Sequence, residues 1–183
     1  MPFLIIIVIL VLIAAFVIAL YNSLVAARNN VKNAWSQIVV QLQRRFDLIP
    51  NLIETVKGYM EHEKELLTKI SELRTSWASS NSVSEKAGLD NELSTTLKSI
   101  MAIAENYPDL KANQNFLQLQ TELQNTEDKI SHSRSFYNDE ATVYNTKIET
   151  FPANIVASSF HFGKVDLFKV ENEEVKQNVK VSF

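Results

Sequence analysis

The chain has no cysteine, and its 183 residues include only three glycines, four prolines and three histidines. The lack of cysteine excludes disulfides, thiolate nucleophiles and cysteine-ligated zinc. A fold of many short strands needs more turn-forming residues than this, and residues with high helix propensity dominate instead. The composition therefore predicts an all-α protein, and the length predicts one soluble domain in addition to any membrane segment.

The chain also lacks an excess of positive charge. Its 18 lysines and arginines are outnumbered by 21 aspartates and glutamates, which gives a net charge of -3. Proteins that bind nucleic acids need clustered cations to neutralise the phosphate backbone. We therefore expect no nucleic-acid partner.

Residue patterns that support catalysis or metal binding are missing as well. A di-iron bundle needs Glu-x-x-His pairs, but Tyr59 precedes His62 and Lys129 precedes His132 at that spacing. Asp128 and His132 could meet on one helical face, although an isolated pair of this kind is typical of a surface hydrogen bond. The sequence contains neither a glycine-rich phosphate loop nor a nucleophile elbow. We expect no catalytic residue, no cofactor, no metal and no enzymatic activity.

A long apolar run stands near the start of the chain. It extends from Phe3 through Leu10 and Phe16 to Leu20, 18 residues without a polar side chain. As a helix it would measure about 27 Å, which is enough to span a bilayer. A cleaved signal peptide is the alternative, but it would need a basic segment before the run and a small-x-small cleavage site after it. We therefore predict a transmembrane anchor over residues 1–21.

The charges that flank the anchor predict its orientation. Arg28 and Lys32 follow the span closely, and no side-chain cation precedes it. Because lysine and arginine near a span favour the cytoplasmic side, the amino terminus should lie outside and the bulk of the chain in the cytoplasm. We expect a single-pass protein whose first partner is membrane lipid.

Beyond the anchor, apolar residues recur every seven positions. In the first half this seam contains Trp35, Leu42, Ile49, Val56, Ile70 and Trp77, and in the last helix it contains Phe116, Leu123, Ile130, Tyr137, Tyr144 and Phe151. Such a period predicts long amphipathic helices with coiled-coil-like seams. Short connections between them favour antiparallel packing in a helical bundle.

Two prolines interrupt the helical pattern. The apolar phase does not slip across Pro50, which fits either one kinked helix or a break with Asp47 as N-cap and Pro50 in the first turn of a new helix. Pro108 ends the third helical segment. The polar run at residues 79–84 predicts a loop that also supplies the N-cap of the next helix.

Antiparallel packing would bring the start of the first long helix and the end of the last one together at the membrane. The residues of this membrane-proximal belt would be Tyr21, Asn22, Tyr137, Asn138, Tyr144 and Asn145. Tyr21 and Asn22 would lie near Tyr144 and Asn145, with Tyr137 and Asn138 further from the membrane. Residues 151–162 would then lie at the lipid headgroups, where they could sense or clamp the bilayer surface. The alternative, which the seam positions favour, is that these aromatic residues pack in the core.

Five residues are candidate contacts between helices or between subunits: Arg44, Arg45, Gly58, Trp35 and Trp77. Arg45 occupies an apolar seam position, so it should pair with a carboxylate if buried, or extend its head to water at the kink. Gly58 falls in a segment predicted to be helical, where glycine costs about 1 kcal/mol relative to alanine and could admit a neighbouring helix or subunit. Trp35 and Trp77 lie on the seam.

The sequence predicts three parts: the anchor at residues 1–21, a bundle at residues 22–152, and an extended segment with a flexible tail at residues 153–183. Pro152 marks the end of the last seam, and residues 160–167 alternate apolar and polar side chains as a short extended segment does. The charged composition of residues 171–183 is typical of a weakly ordered tail.

A long ordered set of motifs resembles the bacterial LemA family. These motifs include Tyr21-Asn22-Ser23-Leu24-Val25, Ala34-Trp35-Ser36-Gln37-Ile38, Arg44-Arg45-Phe46-Asp47-Leu48-Ile49-Pro50-Asn51-Leu52, Tyr107-Pro108-Asp109-Leu110, Tyr137-Asn138, Tyr144-Asn145 and Phe151-Pro152. The resemblance covers residues 1–163. It implies a bacterial inner-membrane protein with one span and an antiparallel four-helix bundle in the cytoplasm, from a family without an established enzymatic activity.

Two functions fit these features. The first is a non-enzymatic scaffold that forms homo-oligomers through its seams and organises or remodels the membrane. The second is an adaptor that presents its bundle surface, or the tail ending in Val181-Ser182-Phe183, to a membrane protein such as a protease.

Overall fold

The computed structural model describes residues 2–60, 63–80 and 82–168, and all regular structure in these residues is helical. The seven helices are α1 (Pro2–Asp47), α2 (Ile49–Lys57), α3 (Lys64–Ser79), α4 (Val83–Ala104), α5 (Pro108–Lys111), α6 (Gln114–Glu149) and α7 (Ala153–Ser159). The all-α prediction is confirmed.

The described residues form two compact units. The terminal unit comprises residues 2–40 and 129–167, and the central unit comprises residues 41–128 together with Phe168. Both α1 and α6 contribute residues to each unit. The sequence divides the chain into an anchor, a bundle and a carboxy-terminal part according to expected contact with the membrane. The two units are defined by compactness instead, so they do not test that division, which stays a prediction.

In the terminal unit, α1 and α6 are antiparallel. Buried residues recur every three or four positions along α1, at Leu24, Ala27, Val31, Ala34 and Ile38. They do so along α6 as well, at Ile130, Arg134, Tyr137, Ala141, Tyr144 and Ile148. Each leucine, isoleucine or valine among them stabilises the fold by about 1.5–3 kcal/mol when fully buried. The rings of Trp35 and Tyr137 lie 5.6 Å apart and set the register between the two helices.

The first part of α1 has no protein cover. Phe3, Leu10 and Phe16 are exposed by 75%, 60% and 55%, and partial burial begins only at Val17 and Leu20. The helix is long and apolar enough to cross a membrane. An apolar surface of this extent requires a lipid or protein partner, because its exposure to water is strongly unfavourable in free energy.

In the central unit, α3 and α4 form an antiparallel pair, with Lys69 bound to Glu92 and the ammonium of Lys86 above the ring of Trp77. The predicted loop at residues 79–84 is shorter in the structure, because α3 ends at Ser79 and α4 begins at Val83. The prediction that it supplies the N-cap is confirmed, since Ser82 accepts a hydrogen bond from the Glu85 amide at 3.1 Å. The end of α1 packs on this pair.

Pro50 lies in the first turn of α2, as one of the two alternatives predicted, but the predicted N-cap is wrong. The N-cap residue is Leu48, which keeps a helical backbone and uses no side-chain cap, while Asp47 accepts a hydrogen bond from Gln43. Helical dihedral angles therefore continue through the break, which explains why the apolar phase does not slip. Pro108 begins the short helix α5, so it marks a turn rather than a kink.

The prediction of an extended structure from residue 153 onward is wrong at its start, because residues 153–159 form α7. Pro152 stands immediately before this helix, a position that proline tolerates well because it needs no amide donor there. Residues 162–168 have no regular secondary structure. The predicted flexible tail at residues 171–183 lies outside the described residues.

Candidate functional site

The extended segment, residues 163–166, is held against α6 by side chains that bind its backbone. The hydroxyl of Tyr137 donates to the carbonyl of Asp166 at 2.7 Å, and that of Tyr144 donates to the carbonyl of Gly163 at 2.9 Å. Asn145 binds Val165 twice, donating to its carbonyl at 2.9 Å and accepting from its amide at 3.0 Å. The heptad spacing of Tyr137 and Tyr144 places both hydroxyls along one side of α6.

Burial raises the pKa of both tyrosines above its ordinary value. The nearby charge of Asp166 raises the pKa of Tyr137 further, whereas the positive charge of Arg28 opposes the increase in the pKa of Tyr144. Both groups are therefore neutral hydroxyl donors over the physiological pH range. The extended segment is thus held by neutral hydrogen bonds, which depend little on salt.

The end of α7 turns the chain back toward α1. The amide of Phe162 donates to the carbonyl of Ala157 at 2.9 Å, and the amide of His161 donates to that of Ser158 at 3.3 Å. These two hydrogen bonds form a Schellman motif, in which the residue after the C-cap adopts a left-handed backbone. His161 occupies that position with a φ of 57°, where glycine is usual.

This turn places two aromatic rings against α1, directly after the apolar run. The ring of Tyr21 lies 4.8 Å from that of Phe160 and 5.7 Å from that of Phe162. The guanidinium of Arg28 lies 4.9 Å above the Phe162 ring, a cation–π contact. We call Tyr21, Arg28, Phe160 and Phe162 the aromatic cluster. It fastens α7 to α1 by packing, and its residue types suit a membrane–water interface.

The predicted belt is therefore built differently from the expectation. Tyr21 was expected beside Tyr144 but packs on Phe160 and Phe162. Because Trp35 pairs with Tyr137, Tyr21, two heptads earlier, comes opposite Phe151 in the antiparallel register. Asn22 is exposed, and Asn138 is half-buried next to the Tyr137 turn. The Tyr144 hydroxyl and the Asn145 side chain bind the extended segment.

A second cluster lies in the core of the central unit. Nη1 of Arg45 on α1 lies 2.9 Å from Asp90 and 2.9 Å from Ser94, both on α4, and 2.6 Å from Glu127 on α6. Burial lowers the pKa of the Arg45 guanidinium, and the charge and hydrogen bond of Glu127 oppose that decrease. The structure thus places Arg45 in an ion pair between helices, one of the two alternatives derived from the sequence, and not in water.

The remaining contact candidates have separate surroundings. Arg44 binds Glu122 at the surface of the central unit at 2.8 Å, and the Trp77 ring stacks on Phe46 at 4.9 Å. Gly58 is the exposed C-cap of α2, and a Cβ there would meet no atom of the described residues within 4 Å. Close approach of a helix from the same chain at Gly58 is therefore a wrong prediction, because the position lies at a helix end facing open space.

The sequence did not reveal the acidic partners of Arg45, nor that Phe160 and Phe162 pack on Tyr21 of α1. Asp90 lies three residues before Leu93, on the apolar face of α4, and this placement was a usable signal for a buried carboxylate. Phe160 and Phe162 carried no such signal, since their alternation fits an extended segment equally well. Within the described residues, no group of three His, Asp or Glu side chains is arranged to hold a metal ion.

Comparison with known proteins connects this architecture to a family. The LemA family model matches residues 34–183. Protein LemA of Metamycoplasma hominis is 30% identical over 154 residues, which cover 84% of this chain and 70% of that protein. Magnetosome protein MamQ 2 of Paramagnetospirillum magneticum is 25% identical over 175 residues, covering 81% of this chain and 64% of that protein. The chain therefore spans less than two thirds of the length of this magnetosome relative.

Proposed function

This chain belongs to the LemA family, and we propose that it is a non-enzymatic scaffold, anchored in a bacterial inner membrane by α1, that self-associates there. Association with a membrane follows from the apolar helix and from the family. The crossing of the bilayer, the cytoplasmic location of both units and the self-association are parts of the proposal. The relationship to a magnetosome protein supports an assembly role, since that name refers to a cellular structure and not to a reaction.

The observation that carries the proposal is the continuity of α1 within the terminal unit. One helix without a break contains the exposed apolar residues from Phe3 onward and then the buried residues from Leu24 to Ile38. A flexibly tethered domain would have a linker between span and core. Here the span and the core share one rigid element, and the aromatic cluster braces α1 where the apolar run ends.

Exposed apolar residues around α7 support contact of the terminal unit with lipid. Phe151 is 75% exposed, Ile155 57% and Phe160 55%, and all three lie close in sequence to the Phe162 that packs near Arg28. Single exposed apolar residues are common, but three around one short helix resemble an interfacial anchor. We propose that this face enters the headgroup layer, which is how the scaffold would organise or remodel the membrane.

Self-association has its own support on α6. Phe136 and Val143 are 44% and 54% exposed, and their seven-residue spacing places them on one face of the helix. A heptad-spaced apolar pair beside the core seam is what a second coiled-coil-like contact requires. We therefore propose this face, centred on Phe136, as the contact between copies.

The test is the mass of the full chain in nanodiscs, measured by light scattering and inspected by electron microscopy. We expect particles that contain several copies, and we expect Phe136→Ser to reduce the number of copies. Asp139→Ser is the matched control, because Asp139 is an exposed polar residue on the same helix. A monodisperse monomer would contradict the scaffold.

An adaptor is the second candidate, and a polar groove in the central unit favours it. The groove is lined by polar side chains that include Asn51, Glu54, Asn115, Gln118 and Glu122. Side-chain amides both donate and accept hydrogen bonds, as the backbone of an extended peptide does. The two models are distinguished by measuring partner capture and assembly for two variants, one that lacks residues 171–183 and one in which Gln118 is replaced by leucine. Loss of partner capture with unchanged assembly would support the adaptor.

A further inference from the structure

An apolar groove opens in the terminal unit next to the end of the apolar run. Its walls are Leu20 and Leu24 of α1, Val143 of α6, and Thr150 and Phe151 after α6, and its volume is about 480 Å³. This volume lies within the range of small-molecule sites in proteins. The Thr150 hydroxyl donates to the carbonyl of Thr146 at 2.7 Å, so it needs no partner from the groove.

The position of the groove indicates what fills it. Leu20 is both the last residue of the apolar run and part of the groove wall. Since the run before Leu20 has no protein cover in the described structure, lipid must surround it once the helix is inserted in a bilayer. The groove therefore lies where lipid chains meet headgroups, and its apolar wall continues the lipid-facing surface of α1.

Lys147 adds a charge to this apolar site. It lies in the last turn of α6 and lines the groove with an exposed side chain. A lysine can lay its aliphatic stem along an apolar wall while its ammonium group remains in a polar layer. At the membrane surface the complementary group is the phosphate of an anionic phospholipid.

We propose that the groove binds one phospholipid of the surrounding membrane, with part of an acyl chain against Leu20, Leu24 and Phe151 and the headgroup phosphate at Lys147. The inference rests on the proposed anchoring of α1 in the bilayer. A bound lipid would hold the end of α6 at a defined depth relative to α1, because both helices contribute to the groove.

The absence of cysteine permits a direct test with single-cysteine variants of the full chain. A fluorophore is attached to Thr146→Cys, which lies in the groove, or to Glu149→Cys, an exposed position on the same turn outside it. Both proteins are placed in nanodiscs whose phospholipids carry bromine on the acyl chains, since bromine quenches fluorescence on contact. We expect stronger quenching at position 146 than at position 149.

Headgroup selectivity is tested with brominated phosphatidylglycerol against brominated phosphatidylcholine. We expect a preference of about fivefold for the anionic lipid, the contribution of one lysine at an anionic surface. Lys147→Gln should remove this preference. Lys164→Gln is the control, because Lys164 is an exposed lysine of the same unit that pairs with Glu149. Equal quenching by the two lipids would overturn the phosphate contact.

Two further outcomes would overturn the site. Equal or weaker quenching at position 146 than at 149, in protein that floats with liposomes, would exclude a bound lipid while the anchoring stands. Disulfide formation between copies of Thr146→Cys would show that a second chain covers the groove. Failure of the unmodified protein to float with liposomes would instead contradict the anchoring itself, and the lipid site with it.

Discussion

Nη1 of Arg45 lies 2.9 Å from Oδ1 of Asp90 in the core of the central unit. Asp90 is fully buried, Arg45 is 3% exposed, and Glu127 brings a second carboxylate to the same nitrogen. One guanidinium therefore serves two carboxylates from two other helices. Because a buried charge without a partner is far more costly than a buried pair, the cluster specifies which faces of α1, α4 and α6 meet.

Replacement of Arg45 by methionine should strongly destabilise the central unit. The substitution keeps the apolar stem but leaves Asp90 without its guanidinium partner, and breaking a buried pair in this way costs about 3–5 kcal/mol. The measurement is denaturant unfolding in mild detergent, followed by circular dichroism. The double variant Arg45→Met with Asp90→Leu should recover much of the loss, since it leaves no buried carboxylate at position 90.

Arg44→Met is the matched control, because the neighbouring arginine forms a surface pair with Glu122. The side chains of that pair are 50% and 36% exposed, and exposed pairs contribute about 0–1 kcal/mol. Equal losses from the two arginine variants would show that the buried network is not what orders these helices.

Asn145→Ala should release the extended segment. Asn145 both donates to and accepts from Val165, so alanine removes two hydrogen bonds and leaves an amide and a carbonyl of the segment unpaired. A loss of about 1.4 kcal/mol, typical for two hydrogen bonds, would increase exchange of the Val165 amide about tenfold. Hydrogen exchange measures this change, and trypsin cleavage after Lys164 should accelerate in parallel.

Asn22→Ala is the control for the released segment, because Asn22 belongs to the predicted belt but is exposed. It should leave both exchange and cleavage unchanged. If Asn22→Ala and Asn145→Ala release the segment equally, the belt acts as one unit, as the sequence first indicated, and the separate role of Asn145 is wrong.

The heptad pattern predicted the helices and most of their core positions, but it was wrong at Phe151, which follows α6 and is 75% exposed. Leu42, Ile49, Val56 and Ile70 are buried as the seam requires, because a seven-residue period depends only on local helix geometry. The register between helices could not be read in the same way. It depends on which side chains fit against each other, such as Trp35 on Tyr137, and that is a non-local property.

The candidate site was predictable only in part. The Tyr-Asn pairs at positions 137 and 144 stood out in the sequence, but their partners are backbone groups of residues 163–166, which carry no side-chain signal. The Schellman turn at His161 was hidden for a related reason, since the residue that usually marks it is glycine. Tertiary packing here decides the backbone conformation against local preference.

The hydrogen bond from Tyr107 to Glu63 should make stability fall at alkaline pH. The bond, 2.9 Å long, raises the pKa of Tyr107 above its ordinary value of 10.0, and desolvation and the charge of Glu63 add to the increase. A pKa raised by folding means that the folded protein holds this proton more tightly than the unfolded chain. The stabilisation is therefore complete below pH 10.0 and disappears as pH rises through the pKa of the folded state.

Tyr107→Phe tests this dependence, because it removes the hydroxyl and keeps the ring. The variant should melt at a lower temperature than the original chain at pH 8, and the difference should shrink above pH 10, where ionisation removes the same hydrogen bond. Thermal unfolding by circular dichroism at several pH values gives the comparison. A difference that stays constant from pH 8 to pH 11 would contradict the assigned role of the Tyr107 proton.

Gly58→Ala should stabilise the chain. Gly58 has a φ of −75°, which alanine adopts freely, and an added Cβ meets no atom within 4 Å in the part of the chain that the structure describes. Alanine also restricts the unfolded chain, so a gain of about 0.4–1 kcal/mol is expected. Gly88→Ala in α4, equally open around its Cβ, is the matched control and should give a similar gain.

The same variant tests the interpretation of Gly58 as a contact between subunits. The described residues of the chain itself leave the position open, so any steric conflict of the new methyl group would have to come from a second copy. Light scattering in nanodiscs would then show fewer copies per particle for Gly58→Ala but not for Gly88→Ala, alongside the gain in stability. Unchanged particle mass would exclude a close contact at Gly58, and a loss of thermal stability would contradict the open surface seen around it.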